Sequence, residues 1–241
     1  MRGAAWLILP TFDEAENIEA IVRAADAVLA AAAPEGHRIL VVDDGSPDGT
    51  GRIAEALCAD VPALRVLHRT VRDGLGPAYL AGFARALEEG AGFVMEMDSD
   101  FSHDPADLAR LLAAARGEAD VALGSRYVRG GGVSDWSRTR ELISRGGSWY
   151  SRRVLGIGVR DVTGGYKCFR AEVLRALDLP SVRSHGYAFQ VELTYRAIRQ
   201  GFRVVEVPIT FRAREHGTSK MTWRIAAEAV LMVPGLRQRG R

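Results

Sequence analysis

Asp98-Ser99-Asp100 places two carboxylates one residue apart at the end of the apolar run Gly92-Phe-Val-Met-Glu-Met97. Hard divalent cations take oxygen ligands, and Mg²⁺ or Mn²⁺ held by one or two carboxylates keeps coordination positions open for substrate phosphates. The chemistry such a pair can do is to grip a diphosphate. A solvated acidic loop would have the same composition. The setting argues against that reading, because the acidic pair Asp43-Asp44 likewise ends an earlier apolar run, Ile39-Leu-Val-Val42.

Something must hold these polar ends together, and the first half of the chain supplies it. Trp6–Leu9, Ile39–Val42, Leu64–Leu67 and Phe93–Met97 read as strands, alternating with helical stretches over 14–33, 49–59 and within 76–90. Alternation of this kind predicts crossover connections and a mostly parallel sheet, with ligands at the carboxyl ends of its strands. Pro10-Thr-Phe-Asp-Glu14, Asp43-Asp-Gly-Ser46 and Asp98-Ser-Asp100 each follow such a strand. Further on, a helix to about 116 and a strand Val121–Ser125 are expected. The Gly- and Arg-rich stretch 126–153 then reads as a mobile loop around Gly130-Gly-Gly132. Val204–Val207 with Pro208–Phe211 reads as a strand pair or bent strand, and 223–233 as a final helix.

Composition narrows the class. The 241 residues, 47% hydrophobic and 26% charged, suffice for one α/β unit with a full core. Lysine occurs only at Lys167 and Lys220, so nearly all of the 32 basic residues are arginine, a compositional bias that is no functional argument by itself. Cys58 and Cys168 lie far apart without metal-ligand spacing, which fits a reducing, cytoplasmic setting. No run of about 18 apolar residues occurs, so no membrane span is expected.

Two tempting motifs fail on context. Asp44-x-Ser46-x-Asp48-Gly49 with Glu55 has calcium-loop spacing, but a strand precedes it where that loop needs a helix. Asp73-Gly-Leu-Gly-Pro77 lacks the third glycine of a dinucleotide fingerprint. No phosphate loop with Gly-Lys-Ser/Thr is present, and the arginine patches lack the aromatic platform of a nucleic-acid binder.

Pro10-Thr-Phe-Asp-Glu14, Val42-Asp-Asp-Gly-Ser-Pro-Asp-Gly-Thr50, Met97-Asp-Ser-Asp-Phe-Ser-His103 and Gly124-Ser-Arg-Tyr127 stand in the order and spacing of family 2 glycosyltransferases with the GT-A fold. Arg140–Arg145, Asp161–Arg170, Gly186–Glu192 and Glu215–Lys220 narrow the resemblance to the dolichol-phosphate (polyprenol-phosphate) mannose synthase branch. The resemblance implies a GT-A catalytic domain over 1–224, with a nucleotide-sugar half 1–100 and an acceptor half 101–224. An amphipathic helix and basic tail follow over 225–241.

It further implies that Pro10, Phe12, Glu14 and Asp43 hold the nucleoside, with Asp98, Ser99 and Asp100 at the diphosphate and its Mg²⁺ or Mn²⁺. Ser102 stands where some relatives carry a Gln as a third metal ligand, and Asp13 where an Asn is usual. Arg126, Arg140 and Ser144 resemble the anchors of an acceptor phosphate. Arg212 and Lys220 resemble charges brought by a closing C-terminal segment, and Gln190 and Glu192 a pair near the sugar pocket. The activity implied is inverting transfer of mannose from GDP-mannose to a polyprenyl or dolichyl phosphate. The same chemistry with another donor such as UDP-glucose, and a non-catalytic binding subunit, are the alternatives. The expected partners beyond substrates are the membrane surface, at whose cytoplasmic face the protein would lie peripherally, and a possible separate membrane subunit, but no nucleic acid.

The residues suit that chemistry. Diphosphate departure is helped by a cation and by guanidinium groups, whose planar fork donates two parallel hydrogen bonds. An acceptor phosphate is already ionised at neutral pH, so it needs no general base.

Overall fold

The computed structural model describes residues 3–182, 184, 186–213 and 232–237. Its central sheet has the strand order β3-β2-β1-β4-β7-β5-β8. These strands are β1 (Ala5–Thr11), β2 (His37–Asp43), β3 (Leu64–His68), β4 (Phe93–Glu96), β5 (Val121–Ser125), β7 (Lys167–Arg170) and β8 (Val204–Pro208). All run parallel except β7, which lies antiparallel between β4 and β5. A separate parallel pair joins β6 (Gly132–Val133) to β9 (Thr210–Phe211).

Period-2 alternation along β1 divides the core into two layers. Ala5, Leu7 and Leu9 pack with helices α1 (Ile18–Ala32), α2 (Thr50–Leu57) and α4 (Asp107–Arg116). Trp6 and Ile8 pack on the other face with α3 (Leu75–Glu88), α6 (Ala171–Ala176) and α7 (Gly186–Arg199). Helix α1 buries Ile18, Ile21, Val22, Ala25 and Leu29, the stripe that a 3.6-residue period puts on one face. Gly82 lets α3 sit close on the sheet, for a Cβ there would meet Ile8 Cγ2 at 2.4 Å.

The first half follows the alternation read from the sequence, with α1 starting at Ile18 rather than at Glu14. The stretch around 126–153 differs. In place of a loop it forms β6 and the 18-residue helix α5 (Arg138–Leu155). Ser137 caps α5 by accepting from the Arg140 amide, and Gly156 closes it in the left-handed region at φ 70°. Gly146-Gly147 and the many arginines blur the apolar period that would have marked this helix.

The expected helix over 223–233 falls mostly outside the described residues. Residues 232–237 are helical, and Val233 and Leu236 pack on Leu155, Ile157 and Val159. No described helix is long and apolar enough to cross a membrane.

Candidate functional site

The carboxyl ends of β1, β2, β4 and β5 share one sheet edge with the amino end of antiparallel β7, and a cavity of about 430 Å³ opens there. Of the residues singled out in the sequence, Pro10, Phe12, Glu14, Asp98, Ser99, Asp100, Arg126 and Gln190 line it. Asp43, Ser102, Arg140, Ser144, Glu192 and Arg212 do not, and Lys220 lies outside the described residues.

The wall after β1 and β2 is tied by side chain to backbone. Thr50 Oγ1 accepts from the Glu14 amide at 2.9 Å, and Asp48 from that of Ala15 at 2.9 Å. Asp13 adopts φ 53°, a left-handed conformation that Asp and Asn both tolerate, so its departure from Asn costs the backbone little. Asp43 is buried beneath the wall, accepting from the Ser46 hydroxyl at 2.5 Å, while its neighbour Asp44 lines the cavity. Burial pushes the Asp44 carboxyl up, against the pull of Arg69 at 2.6 Å. Arg72, from the β3–α3 connection, lies 3.5 Å over the Phe12 ring, a cation–π contact at the cavity margin.

The loop after β4 carries the carboxylates. Asp98 is partly exposed, whereas Asp100 is buried, its Oδ1 accepting from the Ser102 hydroxyl at 2.5 Å and the Ser102 amide at 3.0 Å. Ser102 is thus placed behind Asp100. Ser99 donates to the Pro10 carbonyl at 3.2 Å, tying this loop to the first wall. His103 Nδ1 accepts from the Asp98 amide at 3.2 Å, and its ring lies against Tyr166 and Phe211. Burial pushes the imidazole down to about 3, so it is a neutral scaffold here.

Among the described residues no group of three or more His, Cys, Asp or Glu is placed to hold a metal. Two carboxylates on one cavity wall nevertheless fit a hard cation that completes its shell from phosphate and water. Asp98 and Asp100 would hold it, and it would stabilise charge on the departing diphosphate.

Arg126, at the end of β5, is 5% exposed and bound to Asp161 on two edges, Nε–Oδ2 2.7 Å and Nη2–Oδ1 2.6 Å. Its backbone amide donates to the same carboxylate at 2.8 Å and its Nη2 to Thr163 at 3.0 Å. Burial alone would favour the neutral form, but Asp161 raises the guanidinium above its ordinary value. Arg140 and Ser144 share the α5 face toward this corner. The Arg140 guanidinium lies 4.1 Å from the Trp136 ring centre, which Arg126 also approaches at 5.7 Å. Ser144 accepts from the Tyr127 hydroxyl at 2.7 Å.

Glu192 turns away from the cavity into a buried contact with Ser184 and an ion pair with Arg196. Arg212 stands exposed, 3.7 Å from Asp104, with its amide on the Ser102 carbonyl at 3.0 Å. Sequence reasoning placed Asp44 at a polar strand end of the site without a specific role, and gave none to Arg72, Asp161 or Thr163. Asp161 and Thr163 stood within a quoted motif, the only signal they offered.

The model of "Glycosyl transferase family 2" matches residues 6–178. The chain belongs to this family. The transferase is 50% identical over 236 residues to the polyprenol monophosphomannose synthase of Mycolicibacterium smegmatis, covering 98% of this chain and 87% of that one. It is 50% identical over 227 residues to the undecaprenyl-phosphate mannosyltransferase of Micrococcus luteus, covering 94% of this chain and 90% of that one. Its fold is similar to that of glucosyl-3-phosphoglycerate synthase from Mycobacterium tuberculosis, solved with Mn²⁺, UDP-glucose and glycerol 3-phosphate. The TM-score is 0.68 at 20% identity, over 99% of this chain and 80% of that one. The GT-A architecture, a mostly parallel sheet flanked by helices, is therefore shared.

Proposed function

We propose that the transferase moves mannose from GDP-mannose to a polyprenyl monophosphate, with Mg²⁺ or Mn²⁺ at Asp98 and Asp100. The observation that carries this reading is a cavity with paired carboxylates on one wall and the Arg126–Tyr127–Arg140–Ser144 corner beside it. The 50% identity to two named mannosyl transferases of polyprenyl phosphates supports the substrate class.

An oxygen of the acceptor phosphate attacks the anomeric carbon as the bond to the β-phosphate oxygen breaks. GDP leaves with that electron pair and the anomeric configuration inverts. No proton moves, because the nucleophile enters as an anion. Phe12 and Arg72 flank the nucleoside end, and Pro10, Glu14 and Ser99 shape the wall around it. Asp43 acts from beneath, holding Ser46 in the same turn. Arg140 and Ser144 receive the acceptor phosphate, with Arg126 held square to it by Asp161. Arg212 and Lys220 add charge from the C-terminal side.

A lipid acceptor calls for contact with the bilayer. Helix α5 exposes Leu142, Ile143 and Trp149 at 72%, 59% and 64%, among arginines 140, 145, 152 and 153. Apolar side chains ringed by cations suit the interface of an anionic membrane, which supports peripheral binding there. Vesicles containing anionic lipid should pellet the protein, and Leu142→Ser with Trp149→Ser should release it. Retention of that variant on the vesicles would remove α5 from the membrane face.

The decisive assay supplies radiolabelled GDP-mannose, a short polyprenyl phosphate and Mg²⁺ or Mn²⁺, with EDTA as control. A metal-dependent mannosyl phospholipid is the expected product. Turnover with UDP sugars alone would overturn the donor, and EDTA-insensitive turnover would overturn the metal.

A further inference from the structure

Helix α5 carries Arg140 and Ser144, two of the groups proposed to receive the acceptor phosphate, yet it is thinly seated on the core. Of its 18 residues only Ser148, Ser151 and Leu155 are buried, and none of residues 138–147 is. Gly146 and Gly147 lie within it, and glycine is among the weakest helix formers. Apolar packing therefore does not decide where the half with Arg140 sits. Arg140 and Arg145 rest on the Trp136 and Tyr127 rings, but a ring face tolerates sliding, whereas a hydrogen bond is directional. Two hydroxyls supply that direction. Ser144 and Ser148, four residues apart, share one face of the helix. Ser144 accepts from the Tyr127 hydroxyl at 2.7 Å, and the Ser148 hydroxyl lies 3.2 Å from that of Thr163.

Thr163 joins this helix to the sheet. Its Oγ1 accepts from Arg126 Nη2 at 3.0 Å and faces Asp161 Oδ1 at 3.4 Å. A guanidinium cannot accept and a carboxylate cannot donate, so the Thr163 proton points to Asp161, and one lone pair remains for the Ser148 hydroxyl. Ser148 is 1% exposed, so water does not take over this contact, and both Thr163 and Arg126 line the cavity. We infer that Ser148 and Thr163 are positioning residues whose hydroxyl contact sets the register of α5 against Arg126, so that Arg126 and Arg140 close on one acceptor phosphate. This rests on the reading of the corner as the acceptor-phosphate site and adds to it what keeps its two guanidinium groups in step.

The test measures calorimetric binding of a short polyprenyl phosphate, and KM for that phosphate and for GDP-mannose separately, in wild type, Ser148→Ala, Thr163→Val, Thr163→Ser and Arg140→Ala. Ser148→Ala should weaken phosphate binding and raise its KM about fivefold, the usual effect of one hydrogen bond, with KM for GDP-mannose and the melting temperature close to wild type. Thr163→Val loses the contacts to both Ser148 and Arg126 and should weaken binding at least about tenfold, while Thr163→Ser, which keeps the hydroxyl, should restore most of it. With Arg140→Ala already in place, Ser148→Ala should cost little more, because Ser148 acts through the placing of Arg140. Wild-type phosphate affinity in Ser148→Ala, an equal rise in both KM values, or a full further loss on top of Arg140→Ala would overturn the inference. A wild type without affinity for the phosphate would overturn it together with the acceptor reading. If wild type binds the phosphate but transfers nothing from GDP-mannose, the donor reading alone falls, and the affinities still uphold or overturn the hydroxyl pair.

Discussion

The proposed donor wall and the proposed acceptor corner hold their side chains by different means. At the donor wall the elements are strand-end turns, and contacts run between the strand-end loops, as from Ser99 to the Pro10 carbonyl and from the Glu14 amide to Thr50. At the acceptor corner a buried guanidinium depends on a carboxylate 35 positions away, and the neighbouring groups ride on α5. The proposed donor wall therefore places its chemistry mainly through backbone, with the Arg69–Asp44 ion pair beside the cavity, and the acceptor corner through charge. Damage to the first should appear as lost catalysis in a folded protein, and damage to the second as lost folding or lost acceptor affinity.

The sharpest break in this comparison is Asp100→Ala. It removes a carboxylate from the proposed metal position, where charge would develop on the leaving diphosphate, and transfer should then fall by about 10³ or more. The melting temperature should stay within a few degrees of wild type, because the loop keeps its backbone ties through Ser99 and His103. Near-normal turnover would refute the metal assignment, and a large loss of stability would mean that this wall too is held by charge.

Asp161→Asn comes next. It leaves the Arg126 guanidinium buried without its anion, and breaking such a pair costs about 3–5 kcal/mol. Denaturant unfolding should show that loss, and replacing both partners, as Arg126→Met with Asp161→Leu, should restore much of the stability without restoring transfer. An unchanged unfolding midpoint in Asp161→Asn would end the claim that charge organises this corner.

The same contrast explains what was legible. Strands ending in Asp43-Asp44 and Asp98-Ser-Asp100 could be read because period, turn chemistry and function coincide in a few adjacent residues. Strand β7 could not, since Lys167-Cys-Phe-Arg170 is short, alternates no clear polar face and carries no mark of the direction in which it enters the sheet. Helix α5 escaped notice because its glycines and arginines mask the apolar period, although Ser137 and Gly156 bracket it with ordinary capping residues. The bond between Arg126 and Asp161, and the inward turn of Glu192 toward Arg196, belong to tertiary packing that no local spacing encodes.

Arg140→Ala sharpens the acceptor side further. Arg140 is half-buried against Trp136, and in the proposed function its guanidinium receives the acceptor phosphate. A charged hydrogen bond of this kind is worth about 1.5–3 kcal/mol, so KM for the polyprenyl phosphate should rise at least about tenfold. KM for the sugar nucleotide should not move. A rise in donor KM instead would place Arg140 on the wrong side of the cavity.

The smallest effect belongs to Ser102→Ala. Its hydroxyl donates to Asp100 Oδ1, but its amide donates to the same oxygen, and a side-chain change leaves that second bond in place. Losing one hydrogen bond of ordinary strength, about 1 kcal/mol, should raise the metal concentration for half-maximal rate by about fivefold. The rate at saturating metal should recover, since Asp100 remains where the backbone holds it. A loss as deep as that of Asp100→Ala, unrelieved by metal, would show that the hydroxyl rather than the backbone sets this carboxylate.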